Sequence, residues 1–195
     1  MDLTYNAWWH KDEITVCLEE SIYYSHENSV QSPVSQLGTM TALVSALEVW
    51  DNPYLGLRLK FSYQMNCRNS DISVTWGRST EYTLSDDWLG ITRTDYSRNQ
   101  INSTQIVLNV DEKRWCRDVN IDAGTIRKDG CYSVYDTLVH ELGHSIGLNH
   151  SSEKTSYMLS SSTDSSGESS IRTVTKEDLR VLKSVYSQNQ ISQVK

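Results

Sequence analysis

Residues 140–150 read HELGHSIGLNH and follow the pattern H-E-x-x-H-x-x-G-x-x-H. Three of the chain's five histidines fall in this one stretch. His140 and His144 are four residues apart, so on a helix both imidazoles project from one face and can share a metal ion. Glu141 lies one step around that helix, beside such a metal but outside its ligand set, where a general base belongs. Gly147 can take the left-handed conformation that ends a helix and turns the chain. The turn brings His150 back as a third ligand, and three protein ligands leave the fourth position on zinc for water. The bland alternative is an amphipathic helix that merely carries histidines. At this chain's His, Glu and Gly frequencies, five fixed residues at these spacings arise by chance on the order of once in 10⁵ chains, so the metal reading prevails.

The flanks of this stretch fall into place around it. Ser133 opens the helix, with Asp136 three residues on as its capping-box partner. Val134, Leu138, Leu142 and Ile146 form an apolar stripe opposite the ligand face. Residues 151–173 are crowded with serine; as composition this resembles a linker, but its place between two helical patterns predicts a mobile loop on the domain. Thr175 and Asp178 cap a last helix whose buried face is Leu179, Leu182, Val185 and Tyr186.

Upstream, ITVCL at 14–18 reads as a strand, preceded by Trp8, Trp9 and His10 as edge packing. Ser32 before Pro33 predicts a helix start, and Leu37, Met40, Leu43, Val44, Leu47 and Trp50 recur at helical spacing until Asn52-Pro53 stops it. Residues 57–65 and 71–77 read as two further strands. From Arg78 to Ser103 the chain is polar, broken only by Trp88-Leu89-Gly90-Ile91, and reads as a long surface excursion. Residues 104–110 alternate again, placing Ile106, Leu108 and Val110 on one face. This order of elements implies an α/β domain with one twisted mixed sheet, spanning 1–195 without a second domain.

At 195 residues the chain can bury a substantial core as one domain. Its net charge of −7 argues against nucleic acid or an anionic membrane surface as partner. No apolar run is long enough to span a bilayer, and the opening MDLTYNAWWHKDEITV lacks the basic region and apolar run of a signal peptide. The four cysteines have no C-x-x-C spacing. Two disulfides in an oxidising compartment is the favoured reading over four reduced thiols, with three pairings open. The short interval from Cys116 to Cys131 would make a local staple, leaving Cys17 with Cys67.

The extended motif resembles the metzincin metallopeptidases and, within them, the matrixins. His150 is followed by Ser151, as in matrixins. Met158 stands eight residues after His150, the matrixin spacing for the methionine of the Met-turn beneath the zinc. Ala42-Leu43, Ala46-Leu47 and Trp50 are similar to the family's first helix, and VTKEDLRVLKSVY to its last. The similarity runs from about residue 8 to 187, strongest over 133–158. It implies an α+β fold with a twisted mixed five-stranded sheet, a backing helix, an active-site helix and a C-terminal helix. There are departures. Residues 78–132 contain no histidine, so the second, structural zinc of matrixins is not expected. Structural calcium has one candidate stretch, Asp111-Glu112. Leu159-Ser160-Ser161-Ser162 lacks the Tyr-Pro that follows the family's Met-turn, leaving the wall of the first primed-side pocket unread. No tyrosine switch is expected with Ser160 two residues after Met158, and no stretch reads as a prodomain with a cysteine switch.

The resemblance implies one catalytic zinc on His140, His144 and His150, with Glu141 as the base in hydrolysis of internal bonds of a protein or peptide substrate. It further implies a secreted monomer. The strand at 104–110 is expected to offer its free edge to an extended substrate, with a merely solvated edge weighted equally. The competing class is a catalytically silent domain that binds peptides or proteins. Retention of Glu141 beside three histidines argues against it, because a binding module gains little from a positioned base.

Overall fold

A computed structural model describes residues 7–11, 13–19, 34–51, 60–65, 67–78, 81, 88–111, 115–116, 131–160 and 172–186. Besides a 3-10 turn at Cys67–Asn69, its elements are β1 (Glu13–Leu18), α1 (Gln36–Trp50), β2 (Lys60–Tyr63), β3 (Ile72–Gly77), β4 (Gly90–Ser97), β5 (Gln100–Asn109), α2 (Val134–Ser145) and α3 (Lys176–Tyr186). The five strands form one sheet in the order β2-β1-β3-β5-β4. β1, β2, β3 and β5 run parallel, and β4 is antiparallel to β5 at the edge. The mixed sheet and three helices match the expected fold class.

The strand register decides which residues look toward the helices. Val16 pairs with Ile72, Val74 with Ile106, Trp76 with Leu108, Thr92 with Ile106 and Gly90 with Leu108. Paired residues share a sheet face, so Val16, Ile72, Val74, Trp76, Ile106, Leu108, Gly90 and Thr92 lie on one side. Trp76 donates its indole N–H to Thr39 Oγ1 of α1 at 3.2 Å, and Thr92 reaches Glu141 of α2. Both helices therefore cover the same face. Trp50 of α1 also donates its indole N–H to Val139 O of α2 at 2.9 Å, joining the two helices within the core.

Three expectations need correction. The surface excursion at 78–103 contains most of a hairpin: β4 and the first residues of β5 turn at Arg98 and Asn99, whose φ values are 48° and 69°. Two consecutive left-handed residues make a turn that matches strand twist, but its usual mark is Asn-Gly or Asp-Gly. β4 also buries little of itself, so no apolar alternation betrays it. As a consequence β5 lies between β3 and β4, and among the described residues the sheet edge belongs to β4 rather than to 104–110.

The first helix also differs. Ser32, Pro33, Asn52 and Pro53 lie outside the described residues; Ser35 is the N-cap, accepting from Gly38 N at 3.1 Å. Its buried face is Gly38, Thr39, Ala42, Leu43, Ala46, Leu47 and Trp50, while Leu37, at 74% exposed, Met40 and Val44 face outward. Small residues let α1 approach the sheet closely, and that need overrides the apolar spacing read from larger side chains. Two disulfides, Cys17–Cys67 and Cys116–Cys131, are formed, as the interval argument favoured.

Candidate metal centre and active site

The site begins with the way α2 is held at both ends. At its start Ser133 Oγ accepts from Asp136 N at 3.1 Å, satisfying one of the open backbone donors. At its end Leu148 N donates to Gly143 O and Gly147 N to His144 O, both at 3.0 Å, the paired bonds of a Schellman turn. Gly147 has φ 99°, and a Cβ there would stand 2.8 Å from Ala7 O, so conformation and space both demand glycine. Trp9 donates its indole N–H to Ser145 O and Tyr186 its hydroxyl to Ile146 O, both at 2.9 Å. Trp9, expected as edge packing, is thus a buried clamp on the end of α2.

The turn delivers His150 to the other two histidines. Ligand atoms of His140, His144 and His150 lie within 4.8 Å of one another, and among the described residues they are the one such group of three or more metal-ligating side chains. His140 Nδ1 donates to Tyr157 O at 2.6 Å and His144 Nδ1 to Leu148 O at 2.7 Å. A neutral imidazole has one N–H, so these bonds leave both Nε2 atoms as bare lone pairs. The two Nε2 atoms stand 3.0 Å apart. Two acceptors facing each other at this distance repel unless a cation lies between them; tetrahedral nitrogen ligands around zinc stand about 3.3 Å apart. The donor set fits zinc. Burial and the neighbouring His144 pull the pKa of His140 down to about 3, and burial pulls His144 to about 4 despite its bond to Leu148 O. Burial lowers that of His150 as well. His140 and His144 are therefore neutral at pH 7, the form in which imidazole binds metal.

Met158 packs under α2. It is fully buried beneath α2, so close that a Cβ added to Gly143 would meet its Sδ at 2.3 Å. The turn around it is tied on three sides. Ser151 N donates to Met158 O at 2.7 Å, Met158 N donates to Ser156 Oγ at 2.8 Å, and Ser156 Oγ donates to Asp178 Oδ2 at 2.8 Å. The same Asp178 oxygen accepts from Thr175 N and Thr175 Oγ1, both at 2.9 Å. The cap of α3 thus anchors the turn whose Tyr157 carbonyl orients His140. Residues 161–171, including most of the unread pocket wall, lie outside the described residues, as does Glu112 of the calcium candidate.

Glu141 is 5% exposed and sits between α2 and β4. Thr92 Oγ1 is 2.7 Å from Glu141 Oε2 and 2.9 Å from Glu141 O. Burial raises the carboxyl pKa to about 7, and the Thr92 hydrogen bond opposes that rise. A group that holds or releases a proton near neutral pH suits general acid–base work. Thr92, Gly90, Ser156 and the carbonyls of Tyr157 and Leu148 were not legible as site components. The first two sit in an unrecognised strand, and backbone carbonyls have no residue signature.

Three imidazoles and a buried carboxylate beneath a sheet edge are the kind of site that zinc hydrolases use. Residues 8–187 match the family model of peptidase M10, matrixin. The chain belongs to the matrixin family of zinc metallopeptidases. No curated protein matches the chain.

Proposed function

We infer that this chain is a zinc-dependent endopeptidase acting on internal bonds of proteins or peptides, in which His140, His144 and His150 hold the metal and Glu141 is the general base. The observation that carries this reading is the pair of facing Nε2 lone pairs on His140 and His144, with the Glu141 carboxylate buried one residue away. Bound there, zinc would supply Lewis acidity, lowering the pKa of a water to about 7 and polarising the scissile carbonyl. Glu141 Oε accepts the proton of the attacking water and delivers it to the leaving amine. Burial readies Glu141 for both tasks, because a carboxyl near pKa 7 is neither too weak a base nor too weak an acid. His140 and His144 are fixed by Tyr157 O and Leu148 O, which leaves each Nε2 available to hold the metal, and such orienting partners sustain metal affinity. Met158 supports the floor without serving as a ligand.

β4 supports the substrate part of the reading. It ends the sheet, so its outer edge can pair with an extended peptide through main-chain hydrogen bonds. The two disulfides support an extracellular setting, where such bonds persist. Digestion of a proteome-derived peptide library, with and without a zinc chelator, tests the function. Cleavage that the chelator abolishes and added zinc restores is the expected result. Binding of peptides without cleavage, under full zinc loading, favours a silent binding domain instead.

A further inference from the structure

We propose that Thr92 is a positioning residue for Glu141, holding its carboxylate by a hydroxyl hydrogen bond within a slot that Gly90 keeps open; this rests on the endopeptidase reading above. Register places Gly90 and Thr92 on the helix-facing side of β4, two residues apart. Thr92 Oγ1 lies 2.7 Å from Glu141 Oε2, and among the described residues it is the carboxylate's one hydrogen-bond partner. A hydroxyl has a single proton to donate. Of its two acceptors in reach, the carboxylate is the nearer and offers the charge-assisted bond. Gly90 completes the slot from the other end of the side chain. A Cβ there would stand 3.1 Å from both Glu141 Cγ and Glu141 Oε1, and 3.0 Å from Thr137 Cγ2. Any residue larger than glycine at this position therefore presses on Glu141 itself.

The arrangement has a physical purpose. A glutamate has three side-chain torsions, and a free carboxylate one residue from a metal ligand can turn to bind the metal instead of serving the water. Thr92 holds Oε2 toward β4, against that collapse. Because β4 is also the edge of the sheet among the described residues, the strand proposed for substrate and the group that orients the base are the same element.

The test uses Thr92→Val, which keeps shape and removes the hydroxyl, Thr92→Ser, which keeps the hydroxyl, and Gly90→Ala. Thr92→Val is expected to lower kcat about 10- to 100-fold, the usual effect of losing an orienting partner. KM and zinc content stay at wild-type values, and Thr92→Ser restores most of kcat. Crystal structures of the three variants supply a readout independent of turnover. Glu141 leaves its position in Thr92→Val and Gly90→Ala and keeps it in Thr92→Ser. An unmoved Glu141 in Thr92→Val, or equal loss of kcat in the Val and Ser variants, overturns the proposal. Should the wild-type chain prove inactive on every peptide, the endopeptidase reading fails, and the position of Glu141 in these structures still decides the role of Thr92.

Discussion

Gly143→Ala is a perturbation whose sign the packing beneath α2 predicts. The new Cβ would lie 2.3 Å from Met158 Sδ, 3.1 Å from Met158 Cε and 3.0 Å from Trp50 Cζ2. Trp50 cannot yield easily, being fully buried and fixed by its bond to Val139 O. The sulfur must therefore retreat by about 1 Å to restore van der Waals separation, and protein cores are close-packed. Overpacking of this kind costs about 1–3 kcal/mol, and the severity of the contact places this site at the upper end. Replacing a mid-helix glycine with alanine returns about 1 kcal/mol. The net loss is about 2 kcal/mol, which lowers Tm by about 4–8 °C for a chain of this size. Calorimetry of the metal-free protein measures it directly. In a Met158→Ala background the sulfur is gone and only the 3.0 Å approach to Trp50 Cζ2 remains, so the same Gly143→Ala change should cost clearly less than in the wild type. The reasoning is refuted if Gly143→Ala stabilises the wild type, or destabilises both backgrounds equally.

Other consequences can be checked in the same way. His140 and His144 have folded pKa values of about 3 and about 4, below the unfolded value of about 6.5. Their stabilisation is thus complete above about pH 6.5 and lost as pH falls toward 4, roughly 2 kcal/mol per ring at pH 5. The Tm of the metal-free protein should fall from pH 7 to pH 5, with a shallower slope in His144→Gln; identical slopes contradict the assignment. Asp178→Ala strips the acceptor from Ser156 and Thr175 and should cost about 3 kcal/mol in a thermal melt, while weakening zinc about 10-fold or more through the loosened Tyr157 carbonyl. Paired Cys→Ser changes should cost about 4 kcal/mol at Cys17–Cys67 and about 3 at Cys116–Cys131 by loop-length entropy, with sequence separations of 50 and 15. Denaturant titration that reverses this order argues against an entropic origin.

The clustering of His140, His144 and His150 was legible because these are residue identities at fixed spacings. His140, His144 and Gly147 need a helix and its end, and Ser133 and Thr175 mark helix starts by the chemistry of their side chains. The parallel strands were legible for a similar reason: Ile72, Val74, Ile106 and Leu108 are wholly buried and reveal themselves by apolar alternation. β4 has the opposite character. Its burial is slight, its turn at Arg98-Asn99 lacks glycine, and it is held by pairing with β5 and by Thr92 hydrogen bonds to α2, none of which leaves a local pattern. Thr92 and Gly90 stayed hidden with it, although they touch Glu141. The outward turn of Leu37, Met40 and Val44 on α1 is a related lesson. Which stripe of a helix is buried depends on how closely it must approach its neighbours, and Gly38, Ala42 and Ala46 won that competition.

The central claim is that Glu141 performs proton transfer beside a zinc ion held by three histidines, and one comparison tests it most directly. Glu141→Gln keeps the size of the side chain and the Thr92 contact while removing the base. Zinc content and peptide turnover should be measured together on this variant and the wild type. The account predicts unchanged zinc content and a fall in kcat/KM of about 10²–10⁴, whereas His144→Ala should lose zinc as well. Wild-type turnover in zinc-loaded Glu141→Gln would contradict it.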